Sequence, residues 1–188
     1  LLRQMEFLQA NPDCSMVFSR IAIIDEAGTR MELKRQQYIY RTKLTGYDFL
    51  ADRFLNLIVN FSCCMFITKY MQQLPDILYS QRLSEIPLAF YLEQKGPVGY
   101  IPQIDSVYRK ISTSVWHGGT NEQKFRSSFE IRKLTLHIAD RKYKKLLFEL
   151  IRKQYFFSPL AENLITGKDK EELASALIST EQTKASRL

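Results

Sequence analysis

Side chains able to do chemistry are few in this chain. Of three cysteines, Cys63 and Cys64 are neighbours and Cys14 stands apart. Adjacent cysteines bridge only through a strained ring and the number is odd, so a disulfide framework is excluded. Buried packing thiols in a reducing compartment are the expectation. His117 and His137, the two histidines, stand at no finger-like spacing to the cysteines, which argues against a zinc site. Two spacings imitate catalytic sets. Arg132 and His137 have the arginine-x4-histidine spacing of some helical ribonucleases, which need both side chains at a dimer interface. Asp25 with Glu32-Leu33-Lys34 imitates a metal-dependent nuclease signature, but that chemistry needs a hydrophobic strand, and Lys34-Arg35-Gln36-Gln37 is too polar for one. Asp25-Glu26-Ala27-Gly28 reads as a turn, not as a metal motif.

Cationic side chains are the other chemical resource, and they are unevenly placed. Lys124 to Lys153 holds ten basic and three acidic residues, which is the entire net charge of +7. The basic character therefore belongs to one C-terminal segment. A basic helix can track nucleic-acid phosphates, but here the charge is interleaved with a full apolar face and no glycine-aromatic motif accompanies it, so nucleic acid is set aside as a partner. It can also meet anionic lipid headgroups while aromatics enter the boundary. On that reading Lys142, Lys144, Lys145, Arg152 and Lys153 are the contact residues, and Phe148, Tyr155, Phe156 and Phe157 insert.

These side chains must be positioned by a folded domain. The chain has 188 residues, 45% hydrophobic and 12% aromatic, enough for one ordinary core and too apolar for disorder. Leu1, Leu2, Met5 and Leu8 recur at helical spacing until Asn11-Pro12-Asp13 stops the helix. Cys14 to Ile24 is a strand followed by a polar turn, and 31–45 reads as a loop with short elements. Asp48 to Leu57 looks helical. The apolar run Ile58 to Thr68 suits a strand buried on both faces. Leu88 to Lys95 is a short helix closed by Gly96-Pro97, with strand pieces Val98 to Ile101 and Ile104 to Tyr108 around Pro102. Phe125 to Phe157 is one long amphipathic helix or two shorter ones. A small helix follows near Lys170 to Ile178, and Ser179 to Leu188 frays. Alternating strands and helices that give way to helices make an α/β domain with a helical tail. The most apolar stretch, Phe54 to Ile67, is interrupted by Asn56, Asn60 and Ser62 and falls short of a membrane span. With no signal peptide at Leu1 to Pro12, a cytoplasmic location is expected, peripheral at the inner membrane face if the basic helix docks there.

Four segments, in order, resemble the second half of the GT-A glycosyltransferases of family 2. LLRQMEFLQANPDCSMVFSRIAIIDEAG looks like the family's helix, Asn-Pro and strand ending in Ile24-Asp25-Glu26. NFSCCMFI (Asn60 to Ile67) looks like the Ser-x-Met-Phe strand under the acceptor site. SEIPLAFYLEQKGPVGYI (Ser84 to Ile101) is similar to the segment in which Gly-Asp, an aromatic and Pro-Leu open a helix before a Lys-Gly turn. SVYRKISTSVWHGG (Ser106 to Gly119) resembles the Val-Tyr-Arg segment with a later Val-Trp pair. Two positions depart from the pattern. Glu85 stands for the aspartate, preceded by Ser84 and followed by Ile86, and Lys110-Ile111 follow Tyr108-Arg109 where many relatives carry a histidine.

The resemblance implies an α/β fold that is an incomplete GT-A (Rossmann-like) mixed sheet flanked by helices, carrying a basic C-terminal helical extension. It divides the chain into a GT-A half over 1–120, an extension over 121–157 and a short helix with a frayed tail over 158–188. It implies transfer of a sugar from a nucleotide diphosphate sugar to a hydroxyl of a glycan or glycolipid acceptor, with inversion. Glu85 takes the place of the base, and Trp116, Tyr108, Arg109, Ser62 and Met65 fall at acceptor-binding positions. A divalent cation, Mg or Mn, would be held by a motif that falls ahead of Leu1, with the rest of the nucleotide-binding half. Alone, these residues are then expected to be inactive, and poorly soluble or self-pairing through the exposed edge at Ile58 to Ile67. A catalytically inert binding module acting through the basic helix 124–153 is the alternative.

Overall fold

Met16–Ile24 is apolar except at Ser19 and Arg20, and it forms strand β1, the centre of the first of two units. The computed structural model describes residues 1–31, 34–52, 55–80, 84–113 and 118–178, and divides into Leu1–Gly119 and Thr120–Leu188. The first unit is mixed α/β with an open five-stranded sheet. Helix α1 (Leu2–Ala10) precedes β1, and β2 (Arg30–Met31), a 3-10 turn (Lys34–Tyr38) and β3 (Lys43–Leu44) follow it. Then come α2 (Gly46–Ala51), a second 3-10 turn (Phe61–Cys63), β4 (Cys64–Phe66), α3 (Thr68–Met71), α4 (Asp76–Ser80), α5 (Glu85–Glu93) and β5 (Val98–Arg109). The sheet runs β2-β1-β5-β3, and β4 also pairs with β1. β1 and β5 are parallel; every other pair is antiparallel.

The core sits at the N-terminal halves of the two central strands. Met16 to Ser19 and Val98 to Ile101 are buried on both faces, whereas β5 is largely exposed from Pro102 onward. Gly99 lets α1 lie close on the sheet, because a Cβ there would overlap the Phe7 ring. Phe18 and Tyr100 pack with ring centroids 5.1 Å apart. Helix α5 is apolar all round and correspondingly buried, with Ile86 to Phe90 and Leu92 inside.

Several elements differ from the sequence expectation. The two strand pieces around Pro102 are one strand, because the register with β1 jumps from Ser19↔Ile101 to Arg20↔Ile104 and Pro102, which has no N–H to give, falls in that bulge. The run Ile58 to Thr68 is mostly not a strand. Val59 takes a positive φ of 75°, the Asn60 side chain accepts from the Ser62 N–H at 2.8 Å to open the 3-10 turn, and only Cys64–Phe66 remain to pair with β1. Helix α2 ends at Ala51, well short of Leu57, after starting from a Thr45–Asp48 capping box. In α1 most of the expected apolar face is exposed: Leu1, Leu2 and Met5 face out, Leu8 is half-buried, and Gln4 is buried, donating to the Cys63 carbonyl at 2.7 Å.

The second unit is helical: α6 (Asn121–Ile138), α7 (Arg141–Ile151), a π-helical turn (Arg152–Phe156), α8 (Ala161–Leu164) and α9 (Gly167–Ile178). Asp140 separates the two basic helices by capping α7, accepting from the Lys142 N–H at 3.0 Å. Helix α9 packs on α6 and α7, and so belongs with them. Its carboxylate Asp169 is buried and accepts from both Arg126 guanidinium nitrogens at 2.7 and 3.1 Å and from Lys133 Nζ at 2.8 Å.

Candidate functional site

Ser84 caps α5, its hydroxyl accepting from the Ile86 N–H at 3.4 Å, and this leaves the next residue, Glu85, free of the capping role. Pro87 in the first turn is tolerated because its missing N–H has no helical partner there. Glu85 is thus anchored at the first position of a helix buried nearly all round, and is itself half-buried. Its carboxyl is raised above the ordinary carboxylate value by burial, against lowering hydrogen bonds from its own backbone, Ser84 and the Phe61 N–H.

The structure therefore brings Glu85 against the Phe61–Cys63 turn. Cys63 is buried, its Sγ 2.9 Å from the Asn60 carbonyl and 3.3 Å from the Ile58 carbonyl, either of which can accept its one S–H. Cys64 is partly exposed, and its thiol is pushed up by the neighbouring sulfur and by burial, with the Glu85 charge adding to the rise. The expected packing role of Cys63 and Cys14 agrees with their burial. What sequence reading missed is that the cysteine pair borders the Glu85 carboxylate, since neither spacing nor periodicity links positions 63 and 85. Ser62 is exposed on the same turn, and Met65 pairs with Val17 in β4.

Tyr108 and Arg109 lie elsewhere on the sheet. Cys64 is opposite Phe18 and Tyr108 is opposite Ile23, so the two groups are separated along β1 by about 17 Å at 3.3 Å per residue. Arg109 donates to the Glu26 carbonyl at 3.1 Å and clamps the β1–β2 turn. Trp116 and His117 lie outside the described residues, as do Glu32 and Leu33 of the nuclease-like spacing.

In the second unit Lys142, Lys145, Arg152 and Lys153 are exposed, and Arg152 pairs with Glu149 at 3.0 Å. Lys144 is not a contact residue. It is buried, and Nζ donates to the Ala176 carbonyl at 2.8 Å, holding α9 onto α7. Burial lowers its pKa. Tyr155 is also removed from any membrane-facing set, because it is buried between Phe125 and Phe129 with its hydroxyl 2.6 Å from Ser128 Oγ. Arg132 is buried and His137 is exposed, so they do not share a surface as the ribonuclease pair must.

Among the described residues no group of three or more histidine, cysteine or carboxylate side chains could hold a metal ion. No described helix is long and apolar enough to cross a membrane. The chain matches no protein-family model, and no curated protein or solved structure proves similar to it.

Proposed function

We propose that this chain is the acceptor-side portion of a GT-A type, family 2 glycosyltransferase, with Glu85 as the base that accepts the proton of the attacking hydroxyl. The observation that carries the reading is the setting of Glu85. It is a half-buried carboxylate, raised by burial, fixed at the start of a buried helix and bordered by the turn that opens the Ser62–Met65 segment. An alcohol is a weak nucleophile at neutral pH, and a base works best when its pKa approaches the operating pH. As the acceptor oxygen bonds to the anomeric carbon, its proton passes to Glu85 and the bond from that carbon to the nucleotide diphosphate breaks. A divalent cation would stabilise the departing diphosphate, and the family resemblance assigns its ligands to the nucleotide-binding half. In the complete enzyme Glu85→Gln should lower the chemical rate about 100-fold or more; an unchanged turnover number removes Glu85 as the base.

The second unit supports a separate reading as a membrane-surface binding module. Leu146 and Phe157 are 50% and 76% exposed, and the cations Lys142, Lys145 and Lys153 lie exposed in the same segment. Sedimentation with anionic vesicles should show binding at low salt that is lost at high salt. Absence of binding at low salt ends this reading.

A further inference from the structure

One edge of β1 is covered by β4 at Met16 to Phe18 and by β2 at Ile23 and Ile24, leaving an interval between them without a strand partner. Beside this interval lies a cavity of about 340 Å³ lined by Arg20, Ile21 and Ala22 of β1, Arg30 and Met31 of β2, Ile104 of β5, and Gln37. Its volume is at the small end of ligand pockets, which run from about 300 to 1,000 Å³. We propose that this cavity is a binding site for a small organic anion, a single carboxylate or phosphate ester on a compact carbon skeleton, held by Arg20 and Arg30.

Charge carries the argument. Arg20 is half-buried in a strand that is otherwise apolar apart from Ser19, and desolvating a cation is costly unless an anion compensates it. Other arginines of the chain have such compensation: Arg3 pairs with Asp105, Arg126 with Asp169, and Arg152 with Glu149. Among the described residues neither Arg20 nor Arg30 has an ion pair, and none of those lining the cavity they share is acidic. Two guanidinium groups at one small cavity match the planar oxygens of a carboxylate or the oxygens of a phosphate, to which each can donate two parallel hydrogen bonds. Ile21, Met31 and Ile104 offer apolar contact for the carbon skeleton. The sequence carried one signal of this site, an arginine in the middle of an apolar strand, and Arg30 after the turn gave none. The inference stands apart from the role of Glu85, whose failure as a base would leave it intact.

The test is a calorimetric or NMR titration of the 188-residue chain with glucuronate, glucose 6-phosphate, inorganic phosphate and glucose, at 0.15 M salt. Glucuronate or glucose 6-phosphate should bind at least about tenfold more tightly than uncharged glucose. The preferred anion tells carboxylate from phosphate recognition. Inorganic phosphate, lacking the skeleton, should bind more weakly than the sugar phosphate. Arg20→Gln and Arg30→Gln should each weaken binding about tenfold or more, and Arg41→Gln, an exposed arginine outside the cavity, should not. Arg30 is exposed and its replacement leaves the core untouched, so it decides the matter if Arg20→Gln fails to fold. Equal affinity for glucose, no binding of either sugar anion, or anion binding that survives Arg30→Gln overturns the proposal.

Discussion

Gln36 closes the open interval in β1 with its side chain, and this makes a sharp test of how the sheet is held. Its Oε1 accepts from the Ile21 backbone N–H at 3.0 Å, its Nε2 donates to the Leu57 carbonyl at 2.8 Å, and its own carbonyl accepts from the Tyr100 hydroxyl at 3.2 Å. The side chain is 1% exposed, so water cannot take over these bonds. Gln36→Met keeps similar volume and removes both side-chain bonds, leaving Ile21 N–H and Leu57 C=O buried without partners. Each unsatisfied group costs about 1–3 kcal/mol, so the variant should lose about 2–6 kcal/mol, a large share of the 5–15 kcal/mol typical of a domain. Urea denaturation followed by far-UV circular dichroism gives the loss, and amide exchange at Ile21 gives its origin. A loss under about 1 kcal/mol with the Ile21 amide still protected would refute the reasoning, since it means that the strand interval is not held by this side chain.

Other perturbations follow from equally specific contacts. Burial pushes the Asp169 carboxyl up, but hydrogen bonds from Arg126, Lys133 and Thr166 outweigh it and hold the group well below the carboxylate range. A depressed carboxyl adds stability that is present above its unfolded pKa of about 3.9 and is lost as pH falls below it. Asp169→Asn should therefore cost about 2–4 kcal/mol at neutral pH, less than a fully buried pair because Arg126 is 40% exposed and keeps Glu130; the gap to the parent, measured by urea denaturation, should narrow as pH drops below about 4. Glu85 has the opposite sign: its raised carboxyl means that stability is lost as pH rises from about 4.3 through the folded-state value. Melting temperatures of Glu85→Gln and the parent should coincide in acid, with the variant gaining toward neutral pH. Gly96→Ala should destabilise by about 1–3 kcal/mol in the same urea assay, because the added Cβ would overlap the Asp13 carbonyl, a backbone atom that has little freedom to move.

Much of the first unit was legible where local chemistry and fold agree. The Asn11-Pro12 stop and the apolar run of β1 are found in place, and the helix expected over Leu88 to Lys95 is present but spans Glu85–Glu93. The failures share a cause, which is that tertiary partners decide between options of similar local preference. Pro102 suggested a break, and a bulge in β5 absorbs it instead. The apolar run at Ile58 implied a buried strand, but Asn60 bonding to its own backbone diverted the chain into a turn. Gln36 was hidden in the polar run Lys34-Arg35-Gln36-Gln37, where nothing local marks it as buried. Lys144 has the same identity as Lys142 and Lys145, and only its angular position on α7 turns it toward Ala176.

The candidate site was legible in part for the same reason. Order of segments singled out Glu85 as a candidate, whereas its nearness to the Cys63–Cys64 pair depended on a turn that sequence did not anticipate. That nearness bears on what Glu85 is for. Ser84 accepts from the Ile86 N–H, while the Glu85 carboxylate accepts from its own backbone N–H and from the Phe61 N–H of the neighbouring turn. Glu85 is partly withdrawn from water, with its charged form disfavoured. A carboxylate partly withdrawn from water at the first position of a buried helix is a candidate for function, and the proposal for Glu85 rests on that setting.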